Sequence, residues 1–174
     1  MLTRLAGRLM RFYVALICAA VACASLVEAE TAWRRYVNDR FGVSADRPAD
    51  WREEPPPEND DGRIFVSPDG KAQLIVNGGF VTEDSAAQAL ANLAQPRDGE
   101  RVIYVKRGAS SLTLSGFDGD KIFYRRTILT CSGQVRNNVE ITYPANEKSA
   151  FDPLVAHVAA SLRGGEPAGM RCAS

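Results

Sequence analysis

The run from Val135 to Tyr143 constrains this chain more than any other segment. Val135, Val139, Ile141 and Tyr143 alternate with Arg136, Asn138, Glu140 and Thr142. A period of two marks a strand with one buried and one wet face, and a slip of one residue would invert both. The same period recurs through residues 60–143. Ala72, Leu74, Val76 and Phe80 share a face opposite Gln73, Ile75 and Asn77; Val102 and Tyr104 oppose Ile103 and Val105; Leu112 and Leu114 alternate with Ser111, Thr113 and Ser115. Lys121 to Cys131 is apolar on both faces apart from Arg125 and Arg126, which suits a central strand. Turn residues stand between these runs at Ser67-Pro68-Asp69-Gly70, Asp118-Gly119-Asp120 and Ser132-Gly133, and such short links make antiparallel neighbours.

Two segments change to the helical period. The first is expected to start near Thr82 as N-cap, with Glu83 and Asp84 in its first turn, Ala86, Leu90, Leu93 and Ala94 on one face, and Pro96 as its stop. The second carries Phe151, Leu154, Val155, Val158 and Leu162, is introduced by Ser149 and Pro153, and closes at Arg163-Gly164-Gly165. Each has a single apolar stripe, so each should lie on the sheet. Residues 36–45 fit helix or strand, and the reading taken is strand from about 35 onward. Arg52 to Asp61, with three prolines and five acidic residues, reads as an exposed loop. The expected fold class is α+β: an antiparallel sheet of about six to eight strands with helices on its faces.

Residues 1–29 stand apart. Arg4, Arg8 and Arg11 precede a run from Phe12 to Val27 that is apolar or small throughout. That run falls short of the ~20 residues of a membrane span but suits a signal-peptide core. Cleavage after Ala29 is preferred to cleavage after Ala24. The competing readings are an uncleaved anchor and a lipoprotein acylated at Cys23 in the box Ala20-Val21-Ala22-Cys23. The domain plan is then a signal peptide at 1–29, a single domain at 30–163, and a flexible Gly/Pro-rich tail at 164–174. The whole chain balances 21 basic against 21 acidic residues, which argues against a nucleic-acid partner. Cleavage removes three of the former and one of the latter, leaving 18 against 20. It also leaves two cysteines, Cys131 and Cys172. In an oxidising compartment these most simply form one disulfide that ties the tail to the body.

Short phrases in the domain carry a resemblance. Tyr36-Val37-Asn38-Asp39-Arg40-Phe41-Gly42, followed by Asp46-Arg47-Pro48 and Trp51, resembles the opening of PsbP-like domains, and the order of strands and helices that follows is similar. Pro55-Pro56-Pro57-Glu58-Asn59, Asp61-Gly62, Phe123-Tyr124-Arg125-Arg126 and Ile141-Thr142-Tyr143-Pro144 look like a group of small exported alphaproteobacterial proteins of unknown function. The resemblance covers roughly residues 33–163. It implies an α/β/α sandwich, used elsewhere for docking onto proteins, and no enzyme chemistry.

Catalytic signatures are missing: the chain has no G-x-S-x-G, H-E-x-x-H, G-x-x-x-x-G-K-[ST] or G-x-G-x-x-G. Its one histidine, His157, is read as a solvated residue without a partner, opposite the Leu154/Val158 stripe. With no C-x-x-C, no metal or cofactor is expected. The acidic loop departs from the calcium-loop template at Pro57 and Pro68, and Asp118 and Asp120 read as turn residues. Arg125 and Arg126 are the least ordinary pair. As strand neighbours they point to opposite faces, each needing an acceptor, and one of them with Lys106 and Arg107 could build a small anion- or partner-binding patch. Trp33, Tyr36, Phe41 and Trp51 are read as core plus rim. The function expected is non-catalytic binding of an envelope protein or small ligand; the alternative is a small periplasmic hydrolase or transferase.

Overall fold

A computed structural model of the chain describes residues 31–172; the signal-peptide reading and Cys23 lie outside the described residues. Nine strands and two helices follow in order: β1 (Trp33–Val37), β2 (Ser44–Pro48), β3 (Arg52–Glu53), β4 (Gly62–Val66), β5 (Gln73–Phe80), α1 (Ala86–Leu93), β6 (Glu100–Arg107), β7 (Ser111–Asp118), β8 (Lys121–Thr130), β9 (Val135–Pro144) and α2 (Lys148–Ser161). Seven strands form one sheet in the order β3-β4-β5-β9-β8-β7-β6, with β1 and β2 as a separate hairpin. Every neighbouring pair is antiparallel. This is the α+β class that the alternation predicts.

The period-two runs set the two faces. Val135, Val139, Ile141 and Tyr143 of β9 join Leu74 and Val76 of β5 and Phe65 of β4 in the larger core, which α2 closes with Val155 and Val158. The opposite face holds a smaller core: Leu112 and Leu114 of β7, Phe123 and Leu129 of β8, and Leu90 and Ala94 at α1. The sheet is thus the middle of three layers. The hairpin β1–β2 lies in the α2 layer, where Asp46 N–H donates to Ser161 Oγ at 2.8 Å and Ser44 bridges to Arg163.

Several expectations need correction. Residues 35–45 are no single strand: the chain turns at Asp39–Phe41, the left-handed Gly42 (φ 70°) follows, and the return strand begins at Ser44. Gly42 also has to be glycine because the backbone of Gly165 would lie 2.8 Å from a Cβ there. The first helix is capped by Ser85, not Thr82, with Ser85 Oγ accepting from Gln88 N–H at 3.1 Å. Glu83 instead accepts from the Asn92 side chain at 3.3 Å. The proline-rich loop is not loop throughout, since Arg52–Glu53 pairs with β4. Strict alternation in β6 fails at a bulge between Val102 and Tyr104, which puts Val102 and Val105 on one face.

Candidate functional site

Register across the sheet decides what meets what. Asn77 of β5, Asn138 of β9 and Thr127 of β8 sit side by side in one row on the α1 face. Thr127 Oγ1 donates to Asn138 Oδ1 at 2.7 Å, and Asn138 Nδ2 donates to Asn77 Oδ1 at 3.0 Å. On one side of this row lie Arg125 and Glu140; on the other lie Arg136 and Gly79. Because α1 has only eight residues and packs over β7, it overhangs this polar stripe without filling the space above it. The result is a cavity of about 310 Å3 whose walls include Asn77, Asn138, Arg97, Arg125, Arg136 and Glu140.

Its charges are unevenly matched. Glu140 accepts from Arg97 Nη1 at 2.8 Å and lies 3.4 Å from Arg125 Nε. Arg125 also pairs with Glu100 of β6, and both are nearly buried. The two acids therefore neutralise Arg97 and Arg125. Arg136 has no carboxylate partner among the described residues, and its Nε is buried without an acceptor.

Arg125 and Arg126 do face opposite sides of the sheet. Arg125 faces the cavity, whereas Arg126 lies half-buried on the α2 face, its Nε likewise without an acceptor. Lys106 shares a row with Arg126 through Thr113, about 10 Å away or two strand spacings. Arg107 shares its face with Arg125, through Leu112 and Thr127. The four cations thus divide into two pairs on opposite faces.

Strand β6 forms the outer edge of the sheet. Since α1 packs on β7 and α2 on β8 and β9, β6 lies outside both helix layers except at Val102. Ile103, Tyr104 and Val105 are 59%, 49% and 44% exposed, and Arg101, Lys106 and Arg107 stand exposed beside them.

His157 is not partnerless: its Nε2 lies 3.0 Å from Asp46 Oδ2, and its ring stacks on Trp33 at 3.8 Å. Arg35 Nη1 holds the other oxygen of Asp46 at 3.0 Å. Burial opposes ionisation of Asp46, but hydrogen bonds from Arg35 and His157 outweigh it and hold the carboxyl below its ordinary value. Nearby Ser161 is engaged already, donating to Val158 O at 2.8 Å while accepting from Asp46 N–H. Phe41 and Trp51 are core, with Trp33 and Tyr36 packed beside them. Cys131 and Cys172 form a disulfide. Among the described residues no cluster of His, Cys, Asp and Glu could hold a metal, and no helix is long and apolar enough to cross a membrane.

The polar stripe was missed by sequence reasoning because Arg136, Asn138 and Glu140 looked like an ordinary wet face. The available signal was Asn77 and Thr127, polar at the same phase on flanking strands.

The three-layer arrangement is the PsbP-like fold. The chain is similar to the cyanobacterial PsbP (CyanoP) of Synechocystis sp. PCC 6803, with 12% identity and a TM-score of 0.57 over 82% of this chain and 97% of that one. It is also similar to the Ran-binding protein Mog1p of Saccharomyces cerevisiae, with 8% identity and a TM-score of 0.51 over 79% and 97%. LpqN, involved in cell envelope biogenesis of Mycobacterium tuberculosis, matches with 13% identity and a TM-score of 0.51 over 79% and 92%. No protein-family profile and no curated sequence matches.

Proposed function

We propose that this is an exported, non-catalytic docking module that works in the cell envelope and engages a partner protein along the edge of β6. Residues 1–29 act as its signal peptide, residues 30–163 as the docking domain, and residues 164–174 as a tail tied by the disulfide. The observation that carries the reading is the bare edge strand with three consecutive exposed apolar side chains, Ile103, Tyr104 and Val105. Monomeric proteins normally cover, shorten, bulge or charge such an edge, because its free N–H and C=O groups can pair with another strand; β6 has a bulge and three cations yet keeps its apolar run exposed. The cations Arg101, Lys106 and Arg107 on β6 fit an extended acidic segment that adds as a further strand. Two further observations support the reading. The disulfide suits an oxidising compartment, and structures of the same fold include one described as Ran-binding and one involved in cell envelope biogenesis. The narrower likeness to small exported alphaproteobacterial proteins points the same way. A periplasmic hydrolase or transferase is the weaker reading, because the hydroxyl of Ser161 beside the His157–Asp46 pair is already engaged.

The test is a photo-crosslinking residue at position 103 in intact cells, with Asp50 as the exposed control position. The expected result is an adduct of one size in the periplasmic fraction, cross-linked through an acidic extended segment and lost in Lys106→Glu/Arg107→Glu. Labelling no greater than at position 50, or an adduct indifferent to charge reversal, defeats the proposal.

A further inference from the structure

The cavity beneath α1 is separate from the β6 edge, and its chemistry is specific enough to name an occupant. We propose that it binds a small organic anion, a carboxylate or phosphate head with a short apolar portion, whose oxyanion rests on Arg136. Four observations converge. The volume of about 310 Å3 stands at the lower end of the range for small-ligand pockets, roughly 300–1,000 Å3. Its lining pairs Arg97 and Arg125 with Glu140 and Glu100, which leaves Arg136 as the lining cation without an ion pair among the described residues. Arg136 Nε is buried without an acceptor, as are those of Arg63, Arg125 and Arg126, and the guanidinium makes no hydrogen bond among the described residues, so a ligand oxyanion at its Nη groups would supply a charge-assisted one. Finally, Gly79 cradles this side chain: a Cβ there would lie 2.9 Å from Arg136 Nε and 3.3 Å from Nη2.

The remaining walls suit the rest of such a molecule. Ile75, Leu93, Leu112 and Leu114 offer apolar contact, while Asn77 Nδ2, the end of the Thr127–Asn138–Asn77 row that donates to nothing among the described residues, offers a donor for a hydroxyl or carbonyl group. The competing anion of this chain is Glu83, just before α1. Its two oxygens are already held by Asn92 Nδ2 at 3.3 Å and Thr82 N–H at 3.2 Å; backbone hydrogen bonding and, more weakly, the Arg136 charge hold its carboxyl below the ordinary value, yet the two side chains make no ion pair. A cation would meet the wrong sign of charge, and a purely apolar ligand would leave the arginine as it is.

The test titrates the protein, purified from cells that process it, with hexanoate and with inorganic phosphate. Hexanol and hexylammonium serve as neutral and cationic controls. The readout is the NMR shift of the side-chain amides of Asn77 and Asn138. Saturable shifts with hexanoate, phosphate or both are expected, with none from the controls; the stronger of the two identifies the head group. Arg136→Gln should weaken binding about tenfold to a hundredfold, the range for losing a charged hydrogen-bond partner. Gly79→Ala, which displaces the guanidinium without removing it, should weaken binding in the same direction. Lys106→Glu/Arg107→Glu should leave it unchanged, so that failure of the edge and failure of the cavity are told apart. The proposal is overturned if neither anion saturates by about 10 mM, well above a Kd of ~1 mM. Equal affinity in Arg136→Gln, or equal binding of hexylammonium, overturns it as well.

Discussion

Arg125 and Arg126 are adjacent in the chain, yet they occupy different electrostatic worlds. Arg125 bridges Glu100 and Glu140 and lies over the ring of Phe123, 4.4 Å from its centroid. Glu100 is only 6% exposed at its side chain, and apart from Arg125 its carboxylate keeps only Arg97 N–H at 2.9 Å among the described residues, so removing Arg125 takes away its counter-charge. Such an uncompensated buried charge costs about 3–5 kcal/mol. Arg126 holds no carboxylate among the described residues, and its truncation loses only the packing of its stem, about 1 kcal/mol. Urea denaturation should therefore separate Arg125→Ala from Arg126→Ala by at least about 2 kcal/mol; equal losses would refute the pairing. That the two arginines face opposite sides was legible from strand alternation alone. Which one carries the ion pairs was not, because Glu100 comes from a strand 25 positions earlier and two places away in the sheet. The same reason hid the cavity: Asn77, Thr127 and Asn138 become one row only when β5, β9 and β8 are aligned.

Among the elements, the hairpin β1–β2 was the hardest to foresee and shows most clearly what a local pattern omits. Its strands have five residues each, and two-stranded ribbons of that size are marginal alone. Tertiary contacts hold it on α2: Arg35 reaches Ser161 O at 2.9 Å, Trp33 stacks on His157, and Asp46 meets both Arg35 and His157. His157 read as a partnerless surface residue because its partner lies 111 positions upstream. By contrast, the helix that receives the hairpin was legible, since its stripe of Val155 and Val158 has helical spacing. The docking has a pH signature. The Asp46 carboxyl is depressed below its ordinary value of 3.8, so folding favours its ionised form. The unfolded chain then binds the proton more readily, and stability rises with pH through this window. The contribution is complete above about pH 5 and is lost as pH falls below 3.8 through the depressed value. Denaturation midpoints measured from pH 6 to pH 2 should fall more steeply for the natural protein than for Asp46→Asn, which lacks that titration. Parallel curves would mean that Asp46 does not hold the hairpin in this way.

At the scale of the whole molecule, the sheet and its two apolar faces supply most of the core. The larger cluster spans β2, β4, β5, β8, β9 and α2 without a gap, and a domain of this length buries about 68–70% of the surface its unfolded chain exposes. The disulfide serves a different segment. Beyond α2 the chain crosses the β1–β2 turn, where Ala168 N–H donates to Arg40 O at 2.9 Å, and Cys172 then joins Cys131 in the turn between β8 and β9. The bridge spans 41 positions and encloses β9 and α2, so it restricts the unfolded chain across a long loop. Loop-closure entropy for that length amounts to about 4 kcal/mol, of which measured bridges commonly deliver about 2–4 kcal/mol. At roughly 2–4 °C per kcal/mol for a domain of this size, reduction or Cys172→Ser should lower the Tm by about 5–15 °C. Because most of the larger core comes from the sheet and α2, with the tail adding only Met170 and Cys172 at its margin, the reduced protein should still unfold in one cooperative transition and keep its far-ultraviolet circular dichroism at 25 °C. The hydrogen-exchange pattern should localise the loss. Amides of residues 164–172 and of the Asp39–Phe41 turn they cover should lose protection, while those of β5, β8 and β9 keep it, since local opening draws on the least buried contacts first. Loss of protection throughout the sheet would instead make the bridge a condition of folding, and the core described here would be insufficient by itself.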